Sequence, residues 1–249
     1  MSIQIHVIPI LNDNYTFVIS DKSRGQAAVV DPGEFSKVHT FLSQQNLTLT
    51  HIIITHHHSD HIGGVSQLVN KYQPKVYAPR ELHQHTDIEF LSVQQNDIFD
   101  LFEQKVKVLG VEGHTLGHVA YEISSLNSIF VGDVLFGLGC GRIFEGDYEM
   151  TFNSINKIKR LSENYKVYCA HEYTKINIEF VEKLLNENMG CACPNRQDFK
   201  NYIEEYQTKM QLYGRSVPLS LKSELKVNPF LLVKTCDQFE KIRKLRNKF

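Results

Sequence analysis

The run Thr55-His-His-His-Ser-Asp-His61 constrains this chain more than any other stretch. Within it, His56, His58, Asp60 and His61 follow the pattern His-x-His-x-Asp-His. Imidazole nitrogen and carboxylate oxygen suit borderline divalent metals such as zinc, iron or manganese. An apolar core has no use for such donors, and a solvated loop rarely concentrates imidazole this way. An apolar, β-branched stretch, Ile52-Ile53-Ile54-Thr55, precedes the run and reads as a buried strand. Ile62-Gly63-Gly64-Val65 follows it, where a helix can start. The fold must therefore supply a strand-to-helix turn rigid enough to hold ligands.

The rest of the chain supplies such elements. Short strands are expected at Ile3–Ile8, Tyr15–Ser20 and Ala27–Asp31, with Asn12-Asp13-Asn14 as a turn and Asp31-Pro32-Gly33 leading into a helix. A helix is expected from Ile62 to Tyr72, a strand at Val76–Ala78, and mainly strands from Val93 to Asp133. A helix over about Met150–Asn164 precedes a strand at Lys166–Ala170. Beyond it the period turns helical, over Ile176–Asn188 and Gln197–Tyr213. Two successive strand-rich halves, each with helices, suggest two packed sheets with helices outside. Three further metal-type candidates, His114, Asp133 and His171, each end an expected strand. Residues at strand ends converge on one sheet edge, so distance in sequence is no obstacle. The i, i+4 pair His114 and His118 is read as one ligand and one supporting histidine, and His57 as pointing away from its neighbours' metal.

Composition narrows the functional classes. The 249 residues suit one large domain, or a domain with an appendage. A formal net charge of −1 argues against a broad electrostatic grip on nucleic acid or an anionic membrane. The first residues lack the basic and long apolar regions of a secretory signal, and no apolar stretch is long enough to span a bilayer. Five cysteines with no paired framework point to a reducing compartment, and the expected location is cytoplasmic. The pair Cys191-Ala-Cys193 has no partner pair at zinc-finger spacing and is read as a loop feature.

Taken together, these strings resemble the metallo-β-lactamase superfamily and, within it, the glyoxalase II family. The resemblance runs nearly end to end. It includes Asn12-Asp-Asn-Tyr15, Asp31-Pro-Gly33, Gly113-His-Thr-Leu-Gly-His118, Gly132-Asp133, Ala170-His-Glu-Tyr-Thr174 and Asn228-Pro-Phe230. The His-x-His-x-Asp-His run specifies only the superfamily. Cys140-Gly-Arg-Ile-Phe-Glu-Gly146, His-Glu-Tyr-Thr and the helical C-terminus narrow it further.

The resemblance implies an α/β (α+β) fold: an αββα sandwich over residues 1–170 and a helical, substrate-binding C-terminal domain over residues 171–249. It implies two divalent metal ions, zinc first, with iron or manganese also compatible. His56, His58 and His114 would bind one ion, Asp60, His61 and His171 the other, and Asp133 would bridge them. The implied reaction is hydrolysis of S-(2-hydroxyacyl)glutathione, chiefly S-D-lactoylglutathione to glutathione and D-lactate, by a hydroxide held on the two metals. This is the second step of methylglyoxal detoxification. Asp60 would both ligate a metal and orient the attacking hydroxide.

Arg142, Phe144 and Tyr173 stand where the family contacts glutathione. Relatives commonly carry Lys at the first of these positions and often Tyr at the second. Many place an Arg where this chain has Leu232, and Lys234, Arg243 or Arg246 could substitute for it. The expected partner of a monomeric protein is a small-molecule glutathione thioester, with no nucleic acid and no membrane. Alternatives are a glutathione persulfide dioxygenase using a single iron, a nuclease or β-lactamase relative, and a metal-binding protein without catalysis.

Overall fold

The computed structural model describes residues 3–187 and 192–249. The chain divides into two compact units, Met1–Gly110 with Gly117–Leu126, and Val111–Leu116 with Asn127–Phe249.

The first unit begins with an antiparallel meander of β1 (Ile3–Ile10), β2 (Asn14–Asp21) and β3 (Gln26–Val30). Helix α1 (Phe35–Gln44) then carries the chain to β4 (Thr48–Ile53). Helices α2 (Ser59–Ile62) and α3 (Val65–Tyr72) carry it to β5 (Lys75–Pro79), and β6 (Leu91–Val93) completes the sheet in the order β1 to β6. A helical crossover returns the chain to the end where the previous strand began, so β3, β4, β5 and β6 run parallel. The ends of β3 and β4 therefore lie side by side, and they lead into Asp31 and the histidine run.

Val38 and Leu42 of α1 and Val65 and Leu68 of α3 pack with Val29, Ile52, Ile54 and Val76 in one apolar cluster. Each such side chain contributes about 1.5–3 kcal/mol on full burial. The single helix expected from Ile62 to Tyr72 is two helices, broken at Gly63-Gly64. The cause is tertiary. The Gly64 N–H donates to the Pro32 carbonyl at 2.8 Å, and a Cβ on Gly64 would stand 2.7 Å from Glu34 backbone.

A second antiparallel meander, β7 (Ile98–Leu101), β8 (Gln104–Gly110) and β9 (Val119–Ile123), completes this unit. Its last strand braces the end of β4. The buried Tyr121 hydroxyl donates to the Ile54 carbonyl at 2.7 Å, and the Val119 N–H donates to the Thr55 carbonyl at 3.0 Å.

The second unit opens with β10 (Ser128–Gly132) and the short hairpin of β11 (Leu135–Phe136) and β12 (Gly139–Cys140). Helix α4 (Tyr148–Lys159) crosses over to β13 (Lys166–Cys169), which lies parallel to β10, so Asp133 and His171 each follow one of two neighbouring parallel strands. Helix α4 ends before the expected Asn164, because Leu161 and Tyr165 take turn bonds to Ile158 and Ser162.

Helices α5 (Thr174–Asn186) and α6 (Arg196–Tyr213) follow, then β14 (Leu219–Ser220), α7 (Leu221–Val227), α8 (Pro229–Leu232) and α9 (Cys236–Lys248). Leu138, Val181, Phe199, Tyr202 and Val227 form this unit's apolar cluster. Helix α6 starts where the Asn195 side chain accepts from the Gln197 and Asp198 N–H groups, an N-cap that typically contributes about 1 kcal/mol. The last residue of the expected helix Ile176–Asn188 and Cys191 of the Cys-x-Cys pair lie outside the described residues. Cys193 donates its thiol to the Leu184 carbonyl at 3.3 Å.

Candidate functional site

In the first unit, His56 and His58 lie on the turn between β4 and α2, and Asp60 and His61 follow on α2. His56 and His61 are buried, and their rings stand 4.0 Å apart by centroid. Asp31, itself buried, governs this turn. Its Oδ1 accepts the Thr55 N–H at 2.7 Å, and its Oδ2 accepts the Thr55 hydroxyl at 2.7 Å. His61 Nδ1 lies 3.0 Å from that same Oδ2 and must donate, because a carboxylate only accepts. The Thr55 hydroxyl proton is thus committed to Asp31. His56 Nδ1, 3.0 Å from that hydroxyl oxygen, donates to it. Both rings therefore carry their proton on Nδ1 and present Nε2 as the basic nitrogen, the arrangement a metal requires.

Asn14 donates from Nδ2 to Asp60 Oδ2 at 2.7 Å, and this same oxygen lies 3.6 Å from His61 Nε2. His118, fully buried, stacks on His56 with centroids 4.6 Å apart, as a supporting histidine would. His57 stacks instead on His85 at 3.8 Å.

In the second unit, His114, Asp133 and His171 come together. Asp133 Oδ2 lies 3.4 Å from both His114 Nε2 and His171 Nε2. Two ligands on a tetrahedral zinc ion stand about 3.4 Å apart, given bonds of roughly 2.0–2.2 Å. His114 Nδ1 donates to the Arg142 carbonyl at 2.7 Å, which again leaves Nε2 basic. Gly141 closes the wall behind, and a Cβ there would fall 1.8 Å from the Asp133 carbonyl oxygen. Tyr173 stacks on His171 at 4.8 Å, and Phe136 meets both rings edge-on. The donor set of each unit, neutral imidazole with carboxylate, fits a borderline divalent ion.

A cavity of about 510 Å³ opens within this second unit. His114 and Asp133 line it together with Arg142, Tyr173, Arg243 and Arg246. Phe144, 61% exposed, stands at its rim. The buried Arg243 donates to the Cys140 carbonyl at 2.8 Å, and Arg246 to Asn177 Oδ1 at 3.0 Å. These acceptors are neutral, so the cavity wall keeps net positive charge. Burial, and then the adjacent Arg243 guanidinium, push the Arg246 pKa down. Of the three basic candidates for the role expected at Leu232, Arg243 and Arg246 line the cavity, while the exposed Lys234 is not part of that lining.

Two residues of the site escaped the sequence reading. The sequence places Asp31 at a strand end and Asn14 in a turn, both within strings shared with the resembled family, and assigns neither a role at the site. Their signal is faint: a carboxylate ending the strand that precedes the ligand strand, and an amide at a strand start.

The strand-and-helix order of the chain and its donor-bearing turn define a metallo-hydrolase of the metallo-β-lactamase superfamily, whose family model matches residues 11–171. The model of the hydroxyacylglutathione hydrolase C-terminus matches residues 172–249. The hydroxyacylglutathione hydrolase of Bdellovibrio bacteriovorus is 39% identical over 244 residues, covering 98% of this chain and 97% of the relative. That of Pelagibacter ubique is 37% identical, covering 99% of this chain and all of the relative. The crystal structure of ETHE1 from Myxococcus xanthus has a similar fold, with a TM-score of 0.72 at 23% identity over 98% of this chain and 91% of that one. The chain belongs to the hydroxyacylglutathione hydrolase family.

Proposed function

We propose that the protein hydrolyses S-(2-hydroxyacyl)glutathione thioesters, S-D-lactoylglutathione foremost, to glutathione and the free hydroxy acid. The observation that carries this reading is the cavity in which three arginines share a wall with His114 and Asp133. Glutathione brings two carboxylates, and guanidinium groups pair with carboxylates through charge-assisted, often bidentate hydrogen bonds. Arg243 and Arg246 take the role expected at Leu232, and Arg142 supplies a third charge. Phe144 lacks the hydroxyl of a tyrosine and offers an apolar rim. Tyr173 presents its ring beside the reacting end.

His56, His58 and His114 would hold one divalent ion, Asp60, His61 and His171 a second, and Asp133 both, with zinc the first choice. Bound there, the ions would supply Lewis acidity and an acidified water at neutral pH. Asp31 fixes the tautomers of His56 and His61. Asn14 holds the Asp60 carboxylate, which orients the attacking water. A thiolate leaves readily, so no side chain need donate a proton to it.

The match of residues 172–249 to the hydrolase C-terminal family favours this reading over a single-iron persulfide dioxygenase. Residues 171–249 would form the substrate-binding domain and residues 1–170 the catalytic one. The protein would act as a cytoplasmic monomer in methylglyoxal detoxification. No helix among the described residues is long and apolar enough to cross a membrane, and Cys140, Cys169, Cys193 and Cys236 are free thiols.

The test measures metal per chain together with hydrolysis of S-D-lactoylglutathione and of a thioester lacking glutathione. Two ions per chain and a strong preference for the first substrate are expected. A metal-loaded chain inert towards both substrates, or one that consumes oxygen with glutathione persulfide, overturns the proposal. Asp60→Asn with both metals retained and undiminished turnover would remove the orienting role.

A further inference from the structure

The turn joining β11 to β12 rests on buried polar side chains that the reaction does not use. Leu138 in this turn adopts φ 57°, a left-handed backbone that a leucine takes at a cost. Its N–H donates to Glu224 Oε2 at 2.9 Å. Asn228 Nδ2 donates to that same oxygen at 2.9 Å, and to the carbonyls of Phe136 and Gly139 at 3.1 and 3.2 Å. The Tyr202 hydroxyl donates to Glu224 Oε1 at 2.6 Å. Glu224 and Asn228 are fully buried, and neither lines the cavity.

A buried carboxylate is costly where an apolar side chain would fill the space. Burial pushes the Glu224 carboxyl up to about 7, with the hydrogen bonds from Tyr202, Leu138 and Asn228 opposing the shift. What the group secures is the turn. The stems of the turn carry Phe136, packed against His171 and Tyr173, and Cys140, whose carbonyl holds Arg243.

We propose that Glu224 is a positioning residue for substrate affinity: it pins the turn through Leu138 and Asn228, and the pinned turn sets Phe136 and Arg243 in the cavity wall. The inference rests on the thioester-hydrolase reading above. Its chemistry is specific. Oε2 is the working acceptor, whereas Oε1 meets only a hydroxyl that can reverse its bond. A protonated Glu224 or a glutamine therefore keeps the pin. A leucine keeps the bulk and removes it, leaving the buried Leu138 N–H without its acceptor and the Asn228 amide on the Phe136 and Gly139 carbonyls alone.

The experiment compares the zinc-loaded wild type with Glu224→Leu and Glu224→Gln. It reads KM and kcat on S-D-lactoylglutathione, Kd for glutathione by calorimetry, metal content, and Tm at pH 8. For Glu224→Leu, KM and Kd should rise about tenfold, the loss of a buried hydrogen bond, with kcat and metal content near wild type. For Glu224→Gln, KM and Kd should return to wild-type values while Tm rises, a split that a purely structural role does not produce. Wild-type KM and Kd in Glu224→Leu, or glutamine behaving as leucine does, overturns the inference. Should Glu224→Leu fail to fold, amide hydrogen exchange at Leu138 in the wild type decides: protection like that of the strands supports the pin, and exchange at the rate of an open turn refutes it. A wild type that binds glutathione but hydrolyses no thioester would fault the functional reading instead.

Discussion

Replacing Asp31 isolates the contribution of a residue that acts through Thr55 and His61. In Asp31→Ala the Thr55 N–H, the Thr55 hydroxyl and His61 Nδ1 all lose their acceptor, in a place where Asp31 and Thr55 are buried. Each buried donor left unmatched costs about 1–3 kcal/mol, so for the three a loss of roughly 3–9 kcal/mol in unfolding free energy is expected. Asp31→Asn separates stability from metal affinity. Its amide oxygen still accepts the Thr55 N–H, while its NH2 replaces Oδ2 and faces His61 Nδ1. Two donors cannot pair, so His61 shifts its proton to Nε2 and loses the lone pair it would give a metal. Partners of this kind typically change metal affinity about 10–100-fold. Chelator competition followed by zinc analysis reads the affinity, and urea unfolding of the metal-free chains reads the stability. Asp31→Asn should lose zinc affinity out of proportion to its loss of stability. An Asp31→Asn chain that retains zinc as the wild type does would refute the tautomer argument.

Three further outcomes are expected. The native Glu224 carboxyl titrates at about 7 against an ordinary 4.5, so between these values the native state keeps a proton that the unfolded chain has released. Stability should therefore fall by up to roughly 3 kcal/mol as pH rises through that window and then level off, and urea titrations of Glu224→Gln should lack this slope. Gly141→Ala places a Cβ 1.8 Å from the Asp133 carbonyl; calorimetric unfolding should show a loss of about 1–3 kcal/mol from overpacking, and zinc retention should fall with it. Arg142→Ala should raise KM for a glutathione thioester about three- to tenfold at unchanged kcat, the modest loss fitting an exposed charge-assisted bond; steady-state kinetics with an unchanged KM would count against this groove.

The fold class could be read from the sequence because it depends on periods longer than a turn. The β-branched stretch before His56 and the 3.6-residue recurrence in α1, α3 and α5 mark elements whatever they pack against. What escaped has no period. The hairpin of β11 and β12 has two residues per strand, and α8 has four residues. The break at Gly63-Gly64 exists because the Pro32–Glu34 backbone presses there, a fact about a loop some thirty residues away.

The candidate site divides the same way. The residue types that can serve a metal announce themselves locally, since four donors on one turn suit little else. Whether an imidazole nitrogen is available to a metal is decided elsewhere, by the partner of its other nitrogen. For His61 that partner is Asp31, 30 residues earlier, and for His114 it is the Arg142 carbonyl, 28 residues later. The carbonyl leaves no trace in the sequence, because every residue has one. A motif search therefore finds candidate ligands and misses what makes them ligands. For the same reason Asp31, which holds His61 directly and His56 through Thr55, is the sharper test of the site than another substitution within the histidine run.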